Sequence, residues 1–249
     1  MAPGSRFRGN DEKSKRIWRG SLQLEPSFEA SDLSDTEKEV EALGLPPRAF
    51  DKIDAEDDDV FYEPPRLVCH IDEGAIAALT EYYRTVLPAG GVLLDLMSSW
   101  VSHLPPEIGY AEVIGHGMNA AELAANPRLN RWFVQNLNRD PVLPLQDRSI
   151  DAAMICVSVQ YLQRPVAVLR EVARVLRPDA PVVISFSNRC FPTKAVAVWR
   201  ALDDAGHQRL VELYLRHAGF EKVETLRLAE WVEDFSDPMF AVLGRSPTL

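Results

Sequence analysis

Nowhere does this chain approach the ~20 consecutive apolar residues of a membrane-spanning helix, and its first residues lack a hydrophobic signal region. A soluble, cytoplasmic protein with no membrane partner is therefore expected. Cysteine is scarce: Cys69, Cys156 and Cys190 are odd in number and far apart, which argues against a disulfide framework, a zinc knuckle or any metal site. They read as reduced, mostly buried thiols. Positive charge is also short, with 27 Lys and Arg against 37 Asp and Glu and a formal net charge of −10. That balance speaks against a broad basic face for nucleic acid and makes a small molecule the expected substrate. No internal repeat or low-complexity segment is evident, and oligomeric state stays open between monomer and homodimer.

What the chain does have is 249 residues, 46% of them hydrophobic and 26% charged, enough to bury one full core. Residues 1–20 hold six basic residues against Asp11 and Glu12, whereas residues 21–60 hold thirteen acidic residues against Lys38, Arg48 and Lys52. Such blocks mark a solvated arm, with a transit peptide or an RNA-binding tail as the other readings. Residues 1–60 are thus expected to be a charged, partly disordered N-terminal arm and residues 61–249 the main domain. Within the arm, Ser34-Asp-Thr-Glu37 is a capping-box pattern and Gly44 a stop, which predicts a short helix over residues 35–43 packed on the main domain.

The main domain is organised around residues 91–100. Val92, Leu93, Leu94 and Leu96 follow a Pro-Ala-Gly-Gly turn as a short apolar run, the pattern of a strand covered on both faces. Asp95 interrupts it near its end, where a carboxylate is tolerated only if the strand edge opens onto water or a polar ligand. The plainer alternative is that Asp95 bonds the following turn through Ser98 or Ser99. Further strands are expected at 111–114, 131–137, 150–157, 182–186, 221–228 and 239–245. Helices are expected after Asp72, after Asn119 and over Val166 to Leu176, with a last helical section broken near Gly206 and stopped at Ala218-Gly219-Phe220. Trp100 to Leu104 leave room for barely one turn before Pro105-Pro106. Strands alternating with helices predict an α/β, doubly wound, mostly parallel sheet with helices on both faces.

Over residues 88–247 the order of segments resembles the class I S-adenosylmethionine-dependent methyltransferases, of the type 11-like group. Val92-Leu-Leu-Asp95-Leu resembles the first strand and motif, Val113-Ile-Gly115 the second strand, and Leu143-Pro-Leu-Gln-Asp147-Arg-Ser149-Ile-Asp151 the stretch before strand four. Leu169 to Pro178 and Ala218-Gly-Phe220 resemble two of the group's helix ends, and Asp237-Pro-Met-Phe-Ala-Val its last strand. The resemblance implies a Rossmann-like sheet of seven strands with the last antiparallel. It also implies S-adenosylmethionine as cofactor, S-adenosylhomocysteine as product, and in-line methyl transfer to a small molecule. The family's two motif glycines are replaced by Met97 and Ser99, and the acidic residue that holds the ribose falls at Gly117, a degenerate cofactor motif.

On the resemblance, the cofactor is expected to meet Asp95, Met97, Ser98, Ser99 and Val157, with His116, Gly117 and Asn119 at the ribose, Leu137 and Asn138 at the adenine, and Ser158 facing the methyl group. The substrate pocket is expected to include Tyr62, Arg66, His70, His103, Gln160, Tyr161, Asn188 and Arg189. No catalytic residue is assigned, although His70 and His103 are of a type suited to a general base. Each of these has a plain structural alternative: turn serines commonly satisfy nearby backbone, and single histidines are commonly structural. The rival to an enzyme is a non-catalytic relative that keeps the fold to bind a ligand or partner. A nicotinamide dehydrogenase is disfavoured because no Gly-x-Gly-x-x-Gly follows strand one.

Overall fold

The computed structural model describes residues 33–230, 232 and 236–248. Its first helix, α1 (Asp35–Ala42), begins at a reciprocal cap in which Ser34 Oγ accepts from the Glu37 N–H and the Glu37 carboxylate accepts from the Ser34 N–H at 2.8 Å. The short α2 (Asp58–Phe61) precedes α3 (Glu73–Val86), which Asp72 caps by accepting from Ala75 N at 2.8 Å. Next come β1 (Val92–Leu96), β2 (Glu112–Gly117), α4 (Ala120–Ala125), β3 (Arg131–Val134) and β4 (Ala152–Cys156). A 3₁₀ turn, Val159–Tyr161, leads into α5 (Pro165–Val175), and the chain ends through β5 (Pro181–Phe186), α6 (Ala197–Arg200), α7 (Asp204–His217), β6 (Glu221–Ala229) and β7 (Met239–Arg245).

The seven strands form one sheet in the order β3-β2-β1-β4-β5-β7-β6, with β7 antiparallel to both neighbours and the other pairs parallel. Alternation along β1 divides the core. Leu94 and Leu96 face Val168, Leu169 and Val172 of α5 and Val211 and Leu215 of α7, while Leu93 faces Leu79 and Tyr83 of α3. This is the α/β doubly wound, Rossmann-like sheet expected from the sequence.

Four local expectations are corrected. The second strand runs on through Gly115, His116 and Gly117, which pair with Trp132, Phe133 and Val134 and do not form a turn. The third strand stops at Val134 and the fourth occupies only 152–156. Leu202 and Asp203, not Gly206, break the last helical section; Gly206 sits in the first turn of α7, where its N–H donates to Asp203 Oδ1 at 2.7 Å. The compact unit begins at Leu33, so residues 33–60 belong to it. Val40, Leu43 and Phe50 are buried in the α5 side of the core, and the Glu39 carboxylate accepts from Val166 N and Ala167 N at 3.0 and 2.8 Å, capping α5 from another helix. Residues 1–32, the basic part of the expected arm, lie outside the described residues.

Candidate functional site

A cavity of about 290 Å³ opens at the carboxyl ends of β1, β2 and β4. Chain order reverses between β1 and β4, since β1 continues outward to β2 while β4 continues to β5, and crevices at such switch points hold ligands in open α/β sheets. Residues 100–111 pass from β1 to β2 without a helix, and the chain from Ser98 to His103 lines one wall of the cavity.

The backbone around the cavity is strained. Met97, His103 and Val157 all have positive φ, at 56°, 52° and 43°, and all three line the cavity. For residues with a Cβ this conformation costs about 1–2 kcal/mol, and it is held here because neighbouring elements overdetermine it. Met97 N donates to His116 Nδ1 at 3.1 Å and Ser98 N to the His116 carbonyl at 2.6 Å, so β2 clamps the loop. Met97 thus keeps the left-handed backbone that a motif glycine would adopt, while its side chain packs against the α5 side of the core and borders the cavity. Gly117 is required sterically: a Cβ there would lie 2.5 Å from the Ser98 carbonyl oxygen. The loop backbone therefore fills the space in which an acidic side chain at the end of β2 would begin.

Asp95 is 3% exposed and accepts from Ser98 Oγ at 2.6 Å, so the turn bond and the cavity position hold together. Burial raises its pKa to about 6 against the lowering bonds from Ser102 and Ser98. His116 is fixed as the neutral Nε2–H tautomer, because Nδ1 accepts from Met97 N and Nε2 must donate to the Gln135 carbonyl at 2.9 Å. Burial holds its pKa down at about 4 although the Gln135 bond raises it. His103 is likewise held at about 4 by burial, and burial lowers His70 more modestly. Both are therefore neutral near pH 7 and weak as bases.

His116, Asn119 and Asn138, expected to hold a cofactor, line the cavity, and their side chains are also bonded within the protein. Both ring nitrogens of His116 are used. Asn119 caps α4 through Oδ1 and donates from Nδ2 to the carbonyls of Tyr62 and Glu63 at 2.9 and 2.8 Å. Asn138 Nδ2 donates to Asp58 Oδ2 and the Tyr161 carbonyl, and Oδ1 accepts from Gln163 N. Gln160 and Asn188 do not line the cavity: Gln160 is buried against the Val157 carbonyl, and Asn188 is exposed. Tyr62, Arg66, His70, His103, Tyr161, Arg189, Ser98, Ser99, Leu137, Val157 and Ser158 do line it. Ser158 Oγ is buried and has no hydrogen-bond partner among the described residues.

Two lining carboxylates escaped the sequence reading. Glu122, 9% exposed on α4, accepts from Arg66 N at 2.6 Å and Ser99 Oγ at 2.7 Å, tying together three segments around the cavity. Its position three residues after the Asn119 cap signalled only a helix start. Asp58 pairs with Lys52 at 2.5 Å and with Lys194 at 3.5 Å, the second of these remote in sequence.

Comparison with known proteins agrees with this fold. Residues 100–184 match the family described as a methyltransferase domain. No curated protein matches the chain. Among solved structures, an S-adenosylmethionine-dependent methyltransferase from Aquifex aeolicus is 17% identical with a TM-score of 0.51, covering 70% of this chain and 91% of that one. The [4+2]-cyclase SpnF is 16% identical with a TM-score of 0.54, covering 75% and 90%. At such identities the likeness establishes the fold, and the cyclase illustrates that this fold alone does not settle a reaction.

Proposed function

We propose that the chain is a class I S-adenosylmethionine-dependent methyltransferase, a reading supported by the match of residues 100–184 to a methyltransferase domain and by the shared fold, and that it binds S-adenosylmethionine in the switch-point cavity and methylates a small molecule. The observation that carries this reading is the buried Ser158 hydroxyl, without a partner among the described residues, at the same cavity as the buried Asp95, since buried polar groups without partners are rare unless a ligand or water completes them. The residues fit the cofactor in an altered form. Asp95 and Ser98 would hold its cationic amino acid end, Leu137 its adenine, and the spare lone pairs of Glu122 its ribose hydroxyls, in place of the side chain that Gly117 lacks. Bound there, S-adenosylmethionine supplies a methyl group activated by the positive charge on sulfur.

The chain's own contribution is alignment and exclusion of water. The clamped 97–103 loop and the segment around Tyr62 set the acceptor's position, a form of catalysis that reaches effective molarities on the order of 10⁵–10⁸ M in well-aligned systems. His103, neutral and facing the cavity, can take a hydrogen bond from the acceptor without adding a second positive charge. Gly117 favours the rival reading, a non-catalytic relative that uses the cavity for another ligand. Thermal melts with S-adenosylmethionine and S-adenosylhomocysteine separate the two. A ligand at a hundredfold its Kd adds about 2.7 kcal/mol, a rise of roughly 5–10 °C at this size, and the rise should vanish in Asp95→Ala. No shift with either compound at millimolar concentration sinks the methyltransferase reading.

A further inference from the structure

Resting on that reading of the cavity, we propose that the acceptor is a small aromatic acid whose anionic group is held by Arg66 and whose ring lies among Tyr62, Tyr161 and Phe191. Charge at the cavity motivates this. Of its three lining carboxylates, Asp58 is neutralised by two lysines, Glu122 is engaged by Arg66 N and Ser99 Oγ, and Asp95 accepts from Ser98 Oγ and is assigned above to the cofactor's ammonium. Arg66, in contrast, makes no ion pair among the described residues; its guanidinium donates only to the carbonyls of Phe61 at 2.8 Å and Pro64 at 3.4 Å. Its Cζ lies 4.4 Å from the centre of the Phe61 ring, 5.5 Å from that of Phe191 and 5.8 Å from that of Tyr62, so cation–π contacts with three rings hold it in place. A half-buried guanidinium preorganised this way presents its remaining N–H groups to a carboxylate or phosphate oxygen.

The aromatic body follows from the same wall. Phe191 packs edge-on against Phe61 and His70, each at 5.3 Å, and lies 5.9 Å from Tyr161, whose hydroxyl accepts from the Phe191 N–H. Offset and edge contacts of this kind accommodate a further ring. The orphan Ser158 hydroxyl supplies a polar contact for a substituent on that ring.

The test uses the full chain saturated with S-adenosylhomocysteine and titrated calorimetrically with benzoate, 2-hydroxybenzoate, phenyl phosphate and benzamide. The acid should bind at least tenfold more tightly than its amide, and phenyl phosphate distinguishes a phosphorylated from a carboxylated acceptor. Arg66→Met should abolish that preference while leaving the S-adenosylhomocysteine Kd within about twofold; Arg66→Lys should retain part of it. Ser158→Ala removes a hydroxyl with no protein partner, so the fold persists and 2-hydroxybenzoate should weaken more than benzoate. Equal binding of acid and amide, an unchanged preference in Arg66→Met, or no binding of any probe at millimolar concentration overturns the proposal. If S-adenosylhomocysteine fails to bind while Arg66-dependent acid binding persists, the methyltransferase reading fails and with it the acceptor role, and what stands is an aromatic-acid site at Arg66.

Discussion

His116 joins three segments through one neutral imidazole: its own strand, the loop after β1 and the loop after β3, each partner nineteen residues away. Its folded pKa of about 4 lies below the ordinary 6.5, so between those values the unfolded chain binds the extra proton. Stability is therefore intact above about pH 6.5 and is lost as pH falls towards 4, by on the order of 3 kcal/mol for this group. His103 adds to the loss, and Asp95, raised to about 6, opposes part of it. Denaturant melts from pH 7 to 4 should show His116→Gln flatter than the parent chain, since Gln can accept from Met97 N and donate to Gln135 without titrating. On the proposed reading Asp95 also holds the ammonium of the cofactor. Affinity for S-adenosylmethionine should fall as pH drops below about 6 and Asp95 takes a proton, and Asp95→Asn should bind weakly with no such dependence in calorimetric titrations.

At the scale of the element, β2 and the loop that precedes it form one unit. Pro105-Pro106 leave no helix between β1 and β2, and the loop is instead fixed by backbone bonds to β2 and by the absence of a side chain at Gly117. Gly117→Ala forces a Cβ against the Ser98 carbonyl, a contact with backbone and not with a flexible side chain. It should cost about 1–3 kcal/mol in chemical denaturation and displace the 97–99 loop, weakening S-adenosylhomocysteine binding further than stability alone would. Gly115 faces only the Leu129 side chain, so Gly115→Ala should be milder because that side chain can turn away. The early end of the last helical break has a similar local cause: Asp203 is a better cap than Gly206 is a breaker, and the cap starts α7 before the glycine is reached.

Across the whole molecule, the segment 33–62 completes both the core and the cavity. Lys194 has no exposed side chain, and its ammonium meets the Glu56 carbonyl at 2.6 Å, Asp54 at 3.2 Å and Asp58 at 3.5 Å. Asp58 in turn receives Lys52 and Asn138, so a charged cluster fastens this segment beside the cavity wall. Asp58→Asn leaves two buried lysines short of countercharge and should cost about 3–5 kcal/mol. Beginning the chain at Phe61 should be worse than beginning it at Leu33, because only the former also uncovers the pocket that Phe50 fills; circular dichroism melts of the two forms decide this.

The order of strands and helices, the sheet class and the cavity's place beside Asp95 were legible in the sequence, because each follows from local periodicity, caps and the Asp at the end of an apolar run. The resemblance around Leu143 to Asp151 and Leu169 to Pro178 added the family to that reading. What Glu122, Asp58, Arg66 and His116 do was settled only by tertiary structure. The partners of Glu122 and His116, and Lys194 at Asp58, lie far along the chain, and no local pattern distinguishes a carboxylate that ties segments together from one on a solvated arm. For the same reason the acidic block at residues 51–59 read as solvent-facing, when Lys194, brought in by the fold, and Lys52 of the block itself make part of it interior. Composition records the charges; burial and pairing, set by how the sheet brings distant segments together, decide what those charges are for.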